Sequence, residues 1–176
     1  MEKSPKNYDV LIIGAGPAGA NAAISYKNLN PNLTVGLVDK AIFPRDKSCG
    51  DAIGPGVISA LKRFNNEHIL DGEPQVVSTT LYGPDNIGIQ NYIPEVKNKE
   101  DSIVYVIPRL DLDNRILNLA KEIGVDVYEG HSFVDFESNS DKSLTVQIKN
   151  ENENLEFLTK ILIGADGANS RIRKKL

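Results

Sequence analysis

Three glycines and one carboxylate near the start of the chain have the types and spacing to hold a doubled phosphate and a ribose. Gly14-Ala15-Gly16-Pro17-Ala18-Gly19 follows the apolar run 10–13, and Asp39, 20 residues after Gly19, ends a second apolar run, 35–38. Gly14 can take the backbone angles of a sharp exit turn. Gly16 has no side chain to keep a diphosphate off the backbone, and Gly19 lets a helix pack close to the strand. A helix starting here aims unpaired N–H groups at the anion, adding about 0.3–1 kcal/mol of dipole stabilisation. A carboxylate at Asp39 can accept both ribose hydroxyls in charge-assisted bonds worth about 1.5–3 kcal/mol each. A bare Gly-x-Gly-x-x-Gly also serves ordinary turns; after a strand, before a helix and with an acid at this distance it specifies a dinucleotide. The pattern does not separate FAD from NAD, and Asp39 would repel a 2′-phosphate.

Other residues carry weaker signals. Gly164-Ala165-Asp166-Gly167 follows the apolar run 161–163 and precedes an expected helix, so it can bring Asp166 and free backbone N–H groups to a ligand. Taken alone, it is more simply an Asp-Gly turn capping that helix, and the ligand reading gains weight only from its partners. Arg109 at a helix start runs against the dipole, which favours a ligand role over a plain surface one. His68 and His131 are isolated, with no neighbours making a triad or metal set, and read as surface residues. The terminal Arg171, Arg173, Lys174 and Lys175 read as the exposed face of a helix.

The elements that must position these groups follow from periodicity. Residues 10–13 read as a strand buried on both faces of a parallel sheet. Ala18, Ala22, Ala23 and Tyr26 recur at helical spacing. A loop over 40–55 leads through Pro55 into a helix over 56–64. Runs 76–82 and 87–93 flank Gly83-Pro84-Asp85-Asn86, a hairpin signal, and 103–107 is β-prone. Leu112, Ile116, Leu119 and Ala120 set a helix over 111–123, with Gly124 as its C-cap and 125–128 as a short strand. Alternating segments 133–136, 144–148 and 155–158 form an antiparallel meander before the buried strand 161–163.

Bulk properties narrow the class. The 176 residues suit one domain, and 40% hydrophobic with 25% charged residues is ordinary for a globular protein. A net charge of −4 argues against general nucleic-acid binding. A lone cysteine excludes an internal disulfide framework and supplies no metal cluster, so no metal site is expected. The polar start and the lack of a long apolar run point to a soluble, cytoplasmic protein, with contact to a membrane surface left open.

With these blocks assembled, the chain resembles the FAD-binding half of flavoproteins of the glutathione-reductase-like fold, in the branch of aromatic hydroxylases and geranylgeranyl reductases. Three blocks match in order: the glycine fingerprint with Asp39, Arg109-x-x-Leu112-Asp113-x-x-Ile116, and Gly164-Ala-Asp166-Gly167. The resemblance implies an α/β fold, a Rossmann-like parallel sheet with an antiparallel meander and an inserted small β region. The expected core is 7–48 and 103–176, with 49–102 inserted and the substrate domain incomplete.

It further implies a cofactor, FAD, held by Gly14, Gly16, Pro17, Ala18, Gly19, Asp39, Lys40, Arg45, Cys49, Gly50, Arg109, Asp166 and Gly167, with NAD(P)H or another reductant as electron donor. Phe43-Pro44-Arg45-Asp46-Lys47-Ser48-Cys49-Gly50-Asp51 resembles the loop of geranylgeranyl reductase-like proteins, in which a Cys-Gly pair lies near the flavin. Gly50 would allow close approach, and Arg45 and Lys47 would neutralise phosphate or lower the Cys49 pKa. Cys49 thereby becomes the one named catalytic candidate; as a lone cysteine it is otherwise a small hydrophobe.

The implied activity is reduction of C=C bonds in an isoprenoid or other lipid-like small molecule. A flavin monooxygenase or halogenase is the first alternative and a non-catalytic nucleotide-binding fragment the second. Relatives of this branch carry a further substrate segment that the sequence does not show. A fragment of a longer flavoprotein or a truncated chain, binding FAD weakly and turning over poorly by itself, is therefore expected. Oligomeric state is not legible.

Overall fold

Consecutive apolar residues at 10–13 leave no polar face, and the strand that carries them lies in the middle of a sheet. The computed structural model describes residues 5–49, 51–92 and 104–176. Its elements begin β1 (Lys6–Ile13), α1 (Pro17–Leu29), β2 (Val35–Val38), β3 (Ala52–Ile53), α2 (Pro55–Arg63), a 3₁₀ turn (Glu67–Leu70), β4 (Ser78–Tyr82) and β5 (Gly88–Tyr92). They continue β6 (Tyr105–Val106), α3 (Arg109–Glu122), β7 (Asp126–Tyr128), β8 (Ser132–Ser138), β9 (Leu144–Lys149) and β10 (Asn154–Gly164). The chain divides into two units, Met1–Arg45 with Asp113–Leu176, and Asp46–Leu112.

The first unit is built on a six-stranded sheet in the order β7-β2-β1-β10-β9-β8. The strands β7, β2, β1 and β10 run parallel, whereas β9 and β8 are antiparallel additions. Flanked on both sides, β1 buries Val10, Leu11, Ile12 and Ile13. The Tyr8 ring crosses β2 at Gly36, where a Cβ would lie 3.1 Å from the ring and 2.7 Å from Leu11. Beyond that gap the Tyr8 hydroxyl meets Tyr128 at 2.7 Å and donates to Asp126 at 3.0 Å. Burial, first of all, pushes the Tyr8 hydroxyl well above its ordinary pKa, with help from these partners.

Three expectations change here. The segments 155–158 and 161–163 are one strand, β10, which pairs antiparallel with β9 at its start and parallel with β1 from Phe157 onward. No turn-forming residue lies between them, and buried Thr159 satisfies its hydroxyl on the Ile161 carbonyl. The buried face of α1 is Gly19, Ala20, Ala23 and Ile24; of the expected row Ala23 lies on it, Ala22 and Tyr26 are half-buried and Ala18 is exposed. After Gly167 the chain makes i→i+3 turns, with Ser170 N–H donating to Gly167 and Lys175 N–H to Ile172, rather than a helix.

Helix α3 buries Leu112, Ile116, Leu117 and Ala120. It ends as expected at Gly124, whose φ of +85° needs no Cβ, with Val125 N–H bonded back to the Ala120 carbonyl. In the second unit β3, which sequence patterning missed, pairs antiparallel with β6, and α2 buries Ile58 and Leu61. The hairpin β4–β5 has Leu81 opposite Ile89, both exposed. Positions 93–103, including the whole connection between the expected strands 87–93 and 103–107, lie outside the described residues.

Candidate functional site

The carboxyl ends of β1, β2 and β10 converge on Gly14. Its N–H donates to the Val38 carbonyl at 2.7 Å, and Ala165 N–H donates to the Ile13 carbonyl at 2.7 Å. Gly14 sits at φ +103°, and an added Cβ would land on the backbone of Ala165. An added Cβ at Gly19 would land on the Gly14 carbonyl and lie 3.2 Å from the Ala165 methyl. The two glycine-rich segments, distant in sequence, are therefore one joint. Gly14 and Gly19 serve that joint, while Gly16 is left open.

Gly16 is the N-cap of α1, with Pro17 at the first helical position and no side chain capping the first turn. The amides of that turn have no intrahelical acceptor, so they are available to an anion. What a Cβ on Gly16 would meet is the Arg45 guanidinium, 3.4 Å away at Nη2. Arg45 lies 4.9 Å over the Phe43 ring and pairs through Nη1 with Asp113 Oδ2 at 3.2 Å. That contact is Coulombic without an aligned hydrogen bond, since the buried Nη1 has no hydrogen-bond acceptor among the described residues. Ala18 is exposed at the same helix end, as is Lys40 beyond β2.

Asp39 stands where expected, at the end of β2, but its carboxylate has protein partners. Oδ2 accepts Ala15 N–H at 2.7 Å and Oδ1 accepts Ala41 N–H at 2.8 Å. Each oxygen keeps a further lone pair, so ribose contact is compatible with this role. Sequence reasoning missed the next layer. Asp39 exchanges backbone bonds with Tyr128 and His131, and Glu129 accepts Phe43 N–H at 2.7 Å while pairing with Lys121. Glu129 thus fixes the loop that delivers Arg45; a carboxylate just after a strand and before Gly130 was the available signal.

Asp166 orders the turn that follows β10. Oδ2 accepts Arg171 N–H at 2.6 Å, while Oδ1 is buried without a hydrogen-bond partner among the described residues. Burial pushes its carboxyl up, but the Ser170 hydroxyl and the Arg171 and Ile172 amides outweigh this and hold it below the ordinary range. Gly167 has φ +85°, which supplies the turn.

Arg109 and Cys49 belong to the second unit. Arg109 is the first residue of α3, its N–H donating to Asp51 Oδ1 at 3.3 Å, and Cys49 is exposed. Gly50 lies outside the described residues. His131 is not a surface residue: its side chain is 11% exposed, packs edge-on against Tyr128, and bonds Glu129 O and Asn150. Arg171 and Arg173 bond the carbonyls of Phe133 and Ala168, and Lys175 pairs with Asp135, which accounts for three of the four terminal cations.

An uncapped helix end behind an open glycine, faced by a guanidinium and joined to a strand-end acid, defines a nucleotide-binding α/β domain. Comparison with known families narrows it: residues 7–176 match the FAD binding domain family, and the chain belongs to that family. Among curated proteins it is 30% identical to a menaquinone reductase of Mycolicibacterium smegmatis, over 96% of this chain and 39% of that protein. It is also 30% identical to a geranylgeranyl diphosphate reductase of Rhodobacter capsulatus, over 96% of this chain and 40% of that one. The chain thus spans about two fifths of the length of these relatives. Among solved structures, the flavin-dependent halogenase CmlS superposes with a TM-score of 0.79 at 22% identity, over 99% of this chain and 31% of its own. The p-nitrophenol 4-monooxygenase PnpA of Pseudomonas putida gives 0.83 at 16%, over 97% and 44%. These two share the fold.

The residues present fit FAD. Its diphosphate matches the uncapped first turn of α1, the open Gly16 and the cationic Arg45, and Asp166 Oδ1 is a buried acceptor with no hydrogen-bond partner among the described residues. Among the described residues no helix is long and apolar enough to cross a membrane.

Proposed function

We propose that this chain is the FAD-holding part of an oxidoreductase of the geranylgeranyl reductase type, acting on the C=C bonds of an isoprenoid or lipid-like substrate. The observation that carries the cofactor assignment is the Arg45 guanidinium held beside Gly16 at the uncapped start of α1. The 30% identity to proteins named as reductases favours this chemistry. When bound, FAD supplies hydride transfer to the substrate. The chain's own contribution is to bind and orient it. Gly14, Gly16 and Gly19 shape the turn, Pro17 and Ala18 open the helix at the diphosphate, and Arg45 neutralises charge. Asp39 accepts from the ribose, with Lys40 beside it. Asp166 and Gly167 are the further cofactor contacts proposed in the first unit; for Arg109, Cys49 and Gly50 a cofactor role rests on the family resemblance alone. NAD(P)H or another reductant is the proposed electron donor.

A second reading, a flavin monooxygenase or halogenase, is favoured by the high TM-scores to such proteins. Anaerobic turnover separates the two. The FAD-loaded protein carrying this chain is expected to saturate an isoprenoid double bond without O₂. Product formed only in air would establish the rival. Flavin fluorescence titrated with the 176-residue chain is expected to change saturably, and a flat titration would remove the cofactor assignment itself.

A further inference from the structure

The least expected charge in the first unit is Asp113, whose side chain is fully buried on α3 while its partner Arg45 remains 20% exposed. A buried ion pair is weak support for a fold, since apolar residues of similar volume commonly do as well or better. The pair therefore invites another explanation, and the guanidinium's surroundings supply one. Nη1 faces Asp113 Oδ2 at 3.2 Å, the plane lies 4.9 Å from the Phe43 ring centre, and Nη2 is turned to Gly16. Two sides are held and the third faces the open turn. An arginine on a loop would otherwise lose considerable rotamer freedom when it closes on a ligand.

We propose that Asp113 is a positioning residue: it holds the Arg45 guanidinium over the Gly16 turn before the ligand arrives, so that Arg45 meets the diphosphate preorganised. This rests on the reading of that turn as an FAD site. Asp113 acts through Arg45 and touches no ligand itself. The neutral Asp113→Asn keeps the shape but frees the guanidinium to swing, and Asp113→Glu keeps the charge but moves it by one methylene.

The test is a double-mutant cycle read by FAD titration of the whole 176-residue chain, with ligand-free unfolding curves alongside. Asp113→Asn is expected to raise the FAD Kd by about tenfold, within the range of coupling between contacting residues. In an Arg45→Met background the same change should move Kd by less than about twofold. A purely structural role would instead add its loss to that of Arg45→Met. If Asp113→Asn does not fold, the same cycle is run with Asp113→Glu, for which the loss must again vanish without Arg45. FAD binding by the parent chain with Asp113→Asn unchanged, or with additive losses, overturns the positioning role alone. No FAD binding by the folded parent chain overturns both this role and the cofactor assignment.

Discussion

The carboxylate of Asp39 accepts the backbone N–H of Ala15 at 2.7 Å, so the acid ending β2 is fastened to the glycine turn 24 residues before it. Its other oxygen accepts Ala41 N–H at 2.8 Å, which makes one side chain the tie between turn and following loop.

Asp39→Ala is accordingly expected to do two things. It leaves two amides without their acceptor, costing roughly 1–3 kcal/mol in the ligand-free chain, and it weakens FAD binding. Asp39→Asn, which retains one acceptor oxygen, should fall between. Thermal unfolding without ligand measures the first effect and flavin titration the second; an unchanged melt would show that the tie contributes nothing.

The glycines of the turn should separate by function. Gly14→Ala forces a Cβ onto the Ala165 backbone at φ +103°, and neither can yield cheaply. A loss of more than about 2 kcal/mol of stability is expected by urea unfolding. At Gly16 the added methyl meets only the end of the Arg45 side chain at 3.4 Å. Gly16→Ala should keep stability within about 1 kcal/mol and lose affinity for FAD. Equal unfolding midpoints for the two variants would contradict this division.

Gly36 is a packing glycine, its Cα facing Leu11 and the Tyr8 ring. Gly36→Ala brings a methyl to 2.7 Å from Leu11 and 3.1 Å from the Tyr8 ring, both held within the sheet face. Overpacking of this kind costs about 1–3 kcal/mol. The urea midpoint should fall with the slope unchanged, and a midpoint equal to the parent's would mean the ring shifts freely.

Acid stability should carry a contribution from Asp9. The Thr34 backbone amide, then Lys160 and the Thr34 hydroxyl, hold its carboxyl down at about 2, against an ordinary 3.8. Because the folded value is the lower one, this stabilisation is complete above the ordinary value and disappears as pH falls toward 2. Asp9→Asn should lower stability at neutral pH and flatten the acid limb between about pH 4 and pH 2. An acid limb as steep as the parent's would assign that dependence to other carboxylates. Exposure to solvent and salt keeps the effect small.

The local parts of the fold were legible because their causes are local. The strand 10–13, the glycine turn, α1 and the Gly124 stop each follow from a few adjacent residues. Chain ends and register were less so. The division of β10 into two expected strands failed because apolar alternation cannot say that one strand will serve a parallel and an antiparallel neighbour at once. His131 looked isolated because its partners, Asn150 and Glu153, lie across a later hairpin.

By itself the sequence determined that a helix would start behind an open glycine with a carboxylate one strand away, since backbone freedom and charge travel with the residues. Only the tertiary structure decided that Ala165 would close against Gly14, that Glu129 would order the loop after β2, and that Asp113 would bury itself against Arg45. Those contacts join residues far apart in the chain. Strand order and helix packing bring them together, and the choice among possible partners is made by the whole core rather than by any local pattern.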